Sequence, residues 1–174
     1  MAGLQPPVSE KDHIQGNENA PVTLVEYGDY ECPYCGMAYP MIKKVQRHFA
    51  DDLRFVFRNF PLSESHPHAV QAAEATEAAG LRGKFWEMHD TLYENQDALE
   101  TDDIFLYSER IGLKLDQFKK DLSNKDVILK VQSDFKSGVR SGVNGTPNYF
   151  INGFKYEGDN LTEAITKILS VVRG

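Results

Sequence analysis

Both cysteines of this chain stand in one short stretch, Cys32-Pro33-Tyr34-Cys35. Two thiols two residues apart can close a small disulfide ring and reopen it without disturbing the rest of a fold. Pro33 suits the first position of a helix, because its φ is already set and its missing N–H has no partner there. A helix starting at Pro33 leaves Cys32 at its N-terminus, where backbone N–H groups and the helix dipole favour a thiolate over a free thiol of pKa about 8.5. Cys32 is the expected attacking sulfur, and Cys35, one turn further in, the expected resolving thiol. A structural zinc site wants about four ligands, and the sequence offers neither a second cysteine pair nor a matching histidine run. A static disulfide across so short a loop would add little stability. The pair reads as a redox device.

The flanking pattern says what carries it. Val22 to Tyr27 is apolar at nearly every position, which predicts a central strand buried on both faces and makes Glu26 its anomaly. Ala38, Met41, Ile42, Val45 and Phe49 follow helical spacing after the cysteines, with Pro40 expected to kink the helix. Leu53 to Asn59 is a second buried strand, so strand, helix and strand imply a parallel crossover. From about His66 to Gly142 the period is helical throughout, with Pro67 opening an alanine-rich helix and Thr101 expected to cap a later one. Strand signals return at Thr146 to Ile151 and at Phe154 to Tyr156, joined by Asn152-Gly153, a strong hairpin signal. A closing helix follows Asn160, with Leu161, Ala164, Ile165, Ile168 and Val172 expected on its apolar face. Residues 1–12 read as a loose lead, with a short edge strand near His13.

Composition narrows the partners. A net charge of −7 without a basic cluster argues against nucleic acid, and no apolar run is long enough to span a membrane. The first ten residues have neither the positive nor the apolar region of a secretory signal, so the chain as written reads as cytoplasmic, or as periplasmic if a signal has been removed.

This order of elements, with Val-Glu-Tyr-Gly-Asp-Tyr-Glu-Cys-Pro-Tyr-Cys at 25–35 and Gly-Val-Asn-Gly-Thr-Pro at 142–147, resembles the DsbA-like branch of the thioredoxin superfamily. The resemblance implies an α/β architecture: a thioredoxin-like fold, with a central mixed sheet flanked by helices, formed by residues 13–62 and 143–174, and an all-helical insertion over 63–142. It implies Cys32 as nucleophile and Cys35 as resolving thiol, with Glu26 as a buried acid of raised pKa able to accept the Cys35 proton. It also implies that Pro147 is a cis-proline facing the cysteines, leaving the Thr146 backbone free to bind an extended substrate. Tyr34 is expected on the rim, touching substrates, while Pro33 shapes the turn. The Pro-Tyr pair between the cysteines departs from the Pro-His of the periplasmic oxidase, and predicts a less oxidising couple.

The expected activity is protein thiol-disulfide exchange through a Cys32 mixed disulfide, by a monomer with no cofactor or metal beyond its own cysteines and with a separate redox partner. Pro33-Tyr34 also suggests a glutathione-linked reductase, and the apolar surroundings of Tyr34 and Pro147 a peptide-binding holdase. His66-Pro67-His68 reads as a helix-opening turn in preference to a metal site, and His48 and His89 as solvated helical histidines. Asp29 and Glu31 place negative charge before Cys32, where solvent is expected to screen it.

Overall fold

The computed structural model describes residues 3–174; Met1 and Ala2, part of the expected loose lead, lie outside the described residues. Five strands, β1 (His13–Gly16), β2 (Val22–Gly28), β3 (Leu53–Asn59), β4 (Asn148–Ile151) and β5 (Phe154–Tyr156), form one sheet in the order β1-β3-β2-β4-β5. Only β2 and β3 run parallel; the other three neighbouring pairs are antiparallel. The long helix α1 (Pro33–Phe49) connects β2 to β3, as a parallel pair requires. It runs through Pro40 without a break. Between β3 and β4 stand five helices: α2 (Ala69–Gly80), α3 (Phe85–Tyr93), α4 (Thr101–Arg110), α5 (Leu115–Leu122) and α6 (Lys125–Arg140). α7 (Leu161–Arg173) closes the chain.

β2 is the middle strand, and its side chains alternate between two apolar layers. Val22 and Leu24 join Phe55, Phe57, Ile42 of α1, Met88 of α3 and Ile165 of α7 in the larger layer. Val25 and Tyr27 join Val56, Phe60, Phe150 and Leu4 in the smaller one, with Phe135 of α6 packed against it. Burial on both faces explains why β2 and β3 read as nearly continuous apolar runs. The alanines of α2 are buried on several sides, so this helix lies within its neighbours and not on their surface. At the hairpin, Asn152 and Gly153 both take positive φ, 49° and 85°, the conformation that a tight two-residue turn needs.

Several local expectations are corrected. The expected loose lead is tied down between Leu4 and Asp12: Leu4 is buried and its N–H bonds to the Gly153 carbonyl, while Asp12 accepts from Arg58 at 2.8 and 3.0 Å. Glu100, not Thr101, caps α4; the Asp103 carboxylate accepts from the Glu100 N–H, and the Thr101 hydroxyl donates to Gln71. His89 is buried among Tyr30, Phe57, Trp86 and Tyr93, where burial lowers its pKa and its Nδ1 meets Asp90 at 3.0 Å. Helical spacing alone could not reveal that a second aromatic layer covers that face.

Candidate active site

The end of β2, the start of α1 and the loop before β4 converge at the cysteines. Cys32 is the N-cap of α1, in an extended conformation (φ −69°, ψ 121°), and Pro33 is the first helical residue. The sulfur is therefore placed where the unpaired N–H groups of the first turn point. No acidic side chain occupies that turn. A hydrogen bond from Cys35 favours the Cys32 thiolate most, and burial opposes it; the Thr146 side chain and the Cys35 and Tyr34 N–H groups add their support, bringing the pKa down to about 5. Cys35 lies one turn in and is fully buried. Burial first, then its bond to Cys32 and the charge of Glu26, push its thiol far above the usual range. Two chemically identical groups three positions apart thus acquire opposite tendencies from their surroundings.

Glu26 sits in β2, buried, directly opposite Tyr149 of β4 and beside Phe57 of β3. Loss of hydration raises its carboxyl to about 8, with the Cys32 thiolate adding to the shift. The buried hydroxyls of Tyr149, Tyr93 and Tyr30 make no hydrogen bond within the protein. Burial disfavours the ionised forms of Tyr149 and Tyr93, so these phenols stay neutral.

The Thr146–Pro147 bond is cis, and the Thr146 carbonyl stands 3.6 Å from Cys32 Sγ, accepting from the thiol. The structure thus brings together Cys32, Cys35, Glu26, Pro33, Thr146 and Pro147. Tyr34 points outward, 71% exposed, and shares one side of α1 with Met37 (73%) and Met41 (38%). Met41, expected in the buried face, is instead part of this exposed line; the spacing of positions 34, 37 and 41 was its legible signal.

The acids before Cys32 are also arranged differently from expectation. Asp29 is buried and accepts from the N–H groups of Glu31 (2.8 Å) and Leu62 (2.9 Å) and meets His66 Nδ1 at 2.8 Å. Glu31 accepts from the His68 N–H at 2.8 Å and meets His68 Nδ1 at 2.6 Å. Burial works against a charged His66, but the Asp29 carboxylate outweighs it and raises the pKa. The two histidines of the turn before α2 are therefore the hydrogen-bond partners of the two acids beside the nucleophile, where the sequence suggested solvent screening. A further residue missed in the sequence is Gln96, whose side-chain amide bonds to the backbone of the reactive turn.

A thioredoxin family model matches residues 8–170. A Na(+)/H(+) antiporter, NhaA 1 of Salinispora arenicola, is 43% identical over 157 residues, covering 90% of this chain and 24% of the antiporter. The chain spans about a quarter of the length of the curated relatives it matches. Among solved structures, a thioredoxin-like oxidoreductase from Silicibacter pomeroyi superposes with a TM-score of 0.83 at 23% identity, over 95% of this chain and 94% of its own. The thiol-disulfide exchange protein α-DsbA2 from Wolbachia pipientis gives 0.81 at 22% identity, over 94% and 88%. The chain belongs to the thioredoxin family and has the fold of its DsbA-like members, a mixed sheet flanked by helices.

Proposed function

We propose that the chain is a thiol-disulfide oxidoreductase that exchanges disulfides with protein substrates through Cys32. The observation that carries this reading is the placement of the two cysteines, Cys32 as the N-cap of α1 beside the cis Thr146–Pro147 bond and Cys35 fully buried one turn in, which favours a thiolate at the first and a protonated thiol at the second. In the reducing direction the Cys32 thiolate attacks a substrate disulfide; a Cys32–substrate bond forms, the substrate S–S bond breaks, and one substrate thiolate leaves. The negative charge at Cys32 disappears at that moment, so the Glu26 carboxyl loses part of what kept it protonated. The carboxyl releases its proton to solvent, the carboxylate so formed accepts the Cys35 proton, Cys35 attacks Cys32 Sγ, and the second substrate thiolate is released. Two electrons pass to the substrate, and the protein is left with a Cys32–Cys35 disulfide. The reverse sequence oxidises a substrate dithiol. The exposed line of Tyr34, Met37 and Met41 supports an apolar segment of substrate on this side, and the Thr146 backbone supports an extended one on the other.

We assign this chemistry, and not ion transport, to the segment shared with the antiporters. Among the described residues no helix is long and apolar enough to cross a membrane. A partner that resets the cysteines belongs to this proposal. The test is trapping: Cys35→Ser should accumulate a mixed disulfide with an oxidised client, whose S–S bond Cys32 opens, whereas Cys32→Ser should form none and lose insulin reduction. Full activity in Cys32→Ser would refute the reading.

A further inference from the structure

We propose that Gln96, contributed by the helical insertion between α3 and α4, is a positioning residue that holds the reactive turn in the geometry the Cys32 sulfur needs. Its amide Nε2 donates to two carbonyls of that turn, Tyr30 at 2.8 Å and Cys32 at 2.9 Å. The Cys32 carbonyl already accepts the Gly36 N–H at 3.1 Å, the first bond of α1, so Gln96 takes its second lone pair. These bonds span 66 and 64 residues of chain, from the insertion back to the site.

Gly36 gives the independent observation. A Cβ built there would stand 1.9 Å from Gln96 Oε1 and 2.5 Å from Cδ. Gly36 has helical backbone and no positive φ, so the main chain does not require glycine. Alanine would be favoured in a helix by about 1 kcal/mol. What an alanine there would push aside is the amide lying across the first turn. A glycine at the position after the second cysteine and a glutamine sixty residues on form one device.

The consequence is chemical. The Cys32 peptide unit sets where its sulfur stands relative to the Tyr34 and Cys35 N–H groups. Capping the Tyr30 and Cys32 carbonyls fixes that unit and holds two negative dipole ends against a donor. Without the amide the turn relaxes, and the thiolate loses part of its support.

This inference rests on the exchange reading for its importance, yet its test does not depend on exchange activity. The pH midpoint of Cys32 alkylation by iodoacetamide would be measured in the full reduced chain for Gln96→Ala, for the isosteric non-donor Gln96→Met, for Gly36→Ala, and for the double Gly36→Ala/Gln96→Ala. Each single variant should raise the midpoint by about 0.5 to 1 pH unit, a threefold to tenfold fall in the ionisation constant of the thiol. The double variant should shift no further than Gln96→Ala, because the alanine then fills emptied space, and it should unfold at a higher temperature than Gln96→Ala. Unchanged midpoints in the singles, or shifts that add in the double, would overturn the inference. A shifted midpoint in a protein that exchanges no disulfide would uphold it and overturn the exchange reading alone.

Discussion

Glu26 is the residue at which burial and chemistry conflict most directly. Its carboxyl has an unperturbed pKa of 4.5 and is raised to about 8 in the fold, by loss of hydration first and by the Cys32 thiolate second. Because the folded value is raised, the contribution of this group to stability is fully present below 4.5 and is lost as pH rises through 8. At pH 7 the difference is on the order of 3 kcal/mol. Glu26→Gln keeps the shape and removes the titration. Urea unfolding of this variant should therefore show a gain over the parent at pH 7 that fades toward pH 4.5. In trapping experiments the same variant should release its mixed disulfide more slowly, since nothing accepts the Cys35 proton. A gain independent of pH would show that the carboxyl does not titrate in the fold as described.

At the scale of elements, buried polar contacts fix the five helices between β3 and β4 to the sheet. Asn59, the last residue of β3, joins the two: its side-chain amide donates to Glu77 of α2 at 3.1 Å, and its N–H donates to Asp134 of α6 at 3.0 Å. Glu77 also binds His13 of β1 at 2.8 Å, and Lys130 donates to Asp134 at 2.6 Å. These groups are largely buried, so removing one strands the others. Asp134→Ala is expected to cost about 2–4 kcal/mol in chemical denaturation. Asp134→Asn should cost less, because its carbonyl can still accept from Asn59. Lys167→Ala serves as the contrast: its pair with Glu163 is fully exposed on α7, and its loss should leave the denaturation midpoint where it is. Equal losses for Asp134→Ala and Lys167→Ala would mean that this junction does not hold the insertion.

For the whole molecule, the two redox states should differ in their response to pH. Only the reduced state has a Cys32 thiolate, with a pKa depressed from 9.0 to about 5. A depressed folded value contributes stability that is fully present above the unfolded pKa and is lost as pH falls through about 5. Glu26 is desolvated in both states, so that part of its effect cancels between them. Thermal scans of reduced and oxidised protein should show the reduced form gaining on the oxidised one from pH 5 to 8. The advantage should vanish below pH 5. A difference that does not vary with pH would place the stabilisation elsewhere than at the thiolate.

What could be read from the amino-acid order was local or periodic. The apolar runs of β2 and β3, the proline at the head of α1, the Asn152-Gly153 turn and the helical block each follow from a few neighbouring residues whose backbone preferences or burial pattern admit one answer. The order of these elements around one cysteine pair was enough to suggest the fold. The cis Thr146–Pro147 bond was suggested by resemblance, since no local preference demands it. Only the tertiary structure decided which partner each polar group finds: His66 and His68 for Asp29 and Glu31, Asn59 for Glu77 and Asp134, Gln96 for the reactive turn. It also decided that Met41 faces out and His89 faces in. Such pairings join residues up to 75 positions apart, and which side chain meets which depends on how the helices lie on the sheet, a property of the packed whole that no stretch of chain encodes by itself.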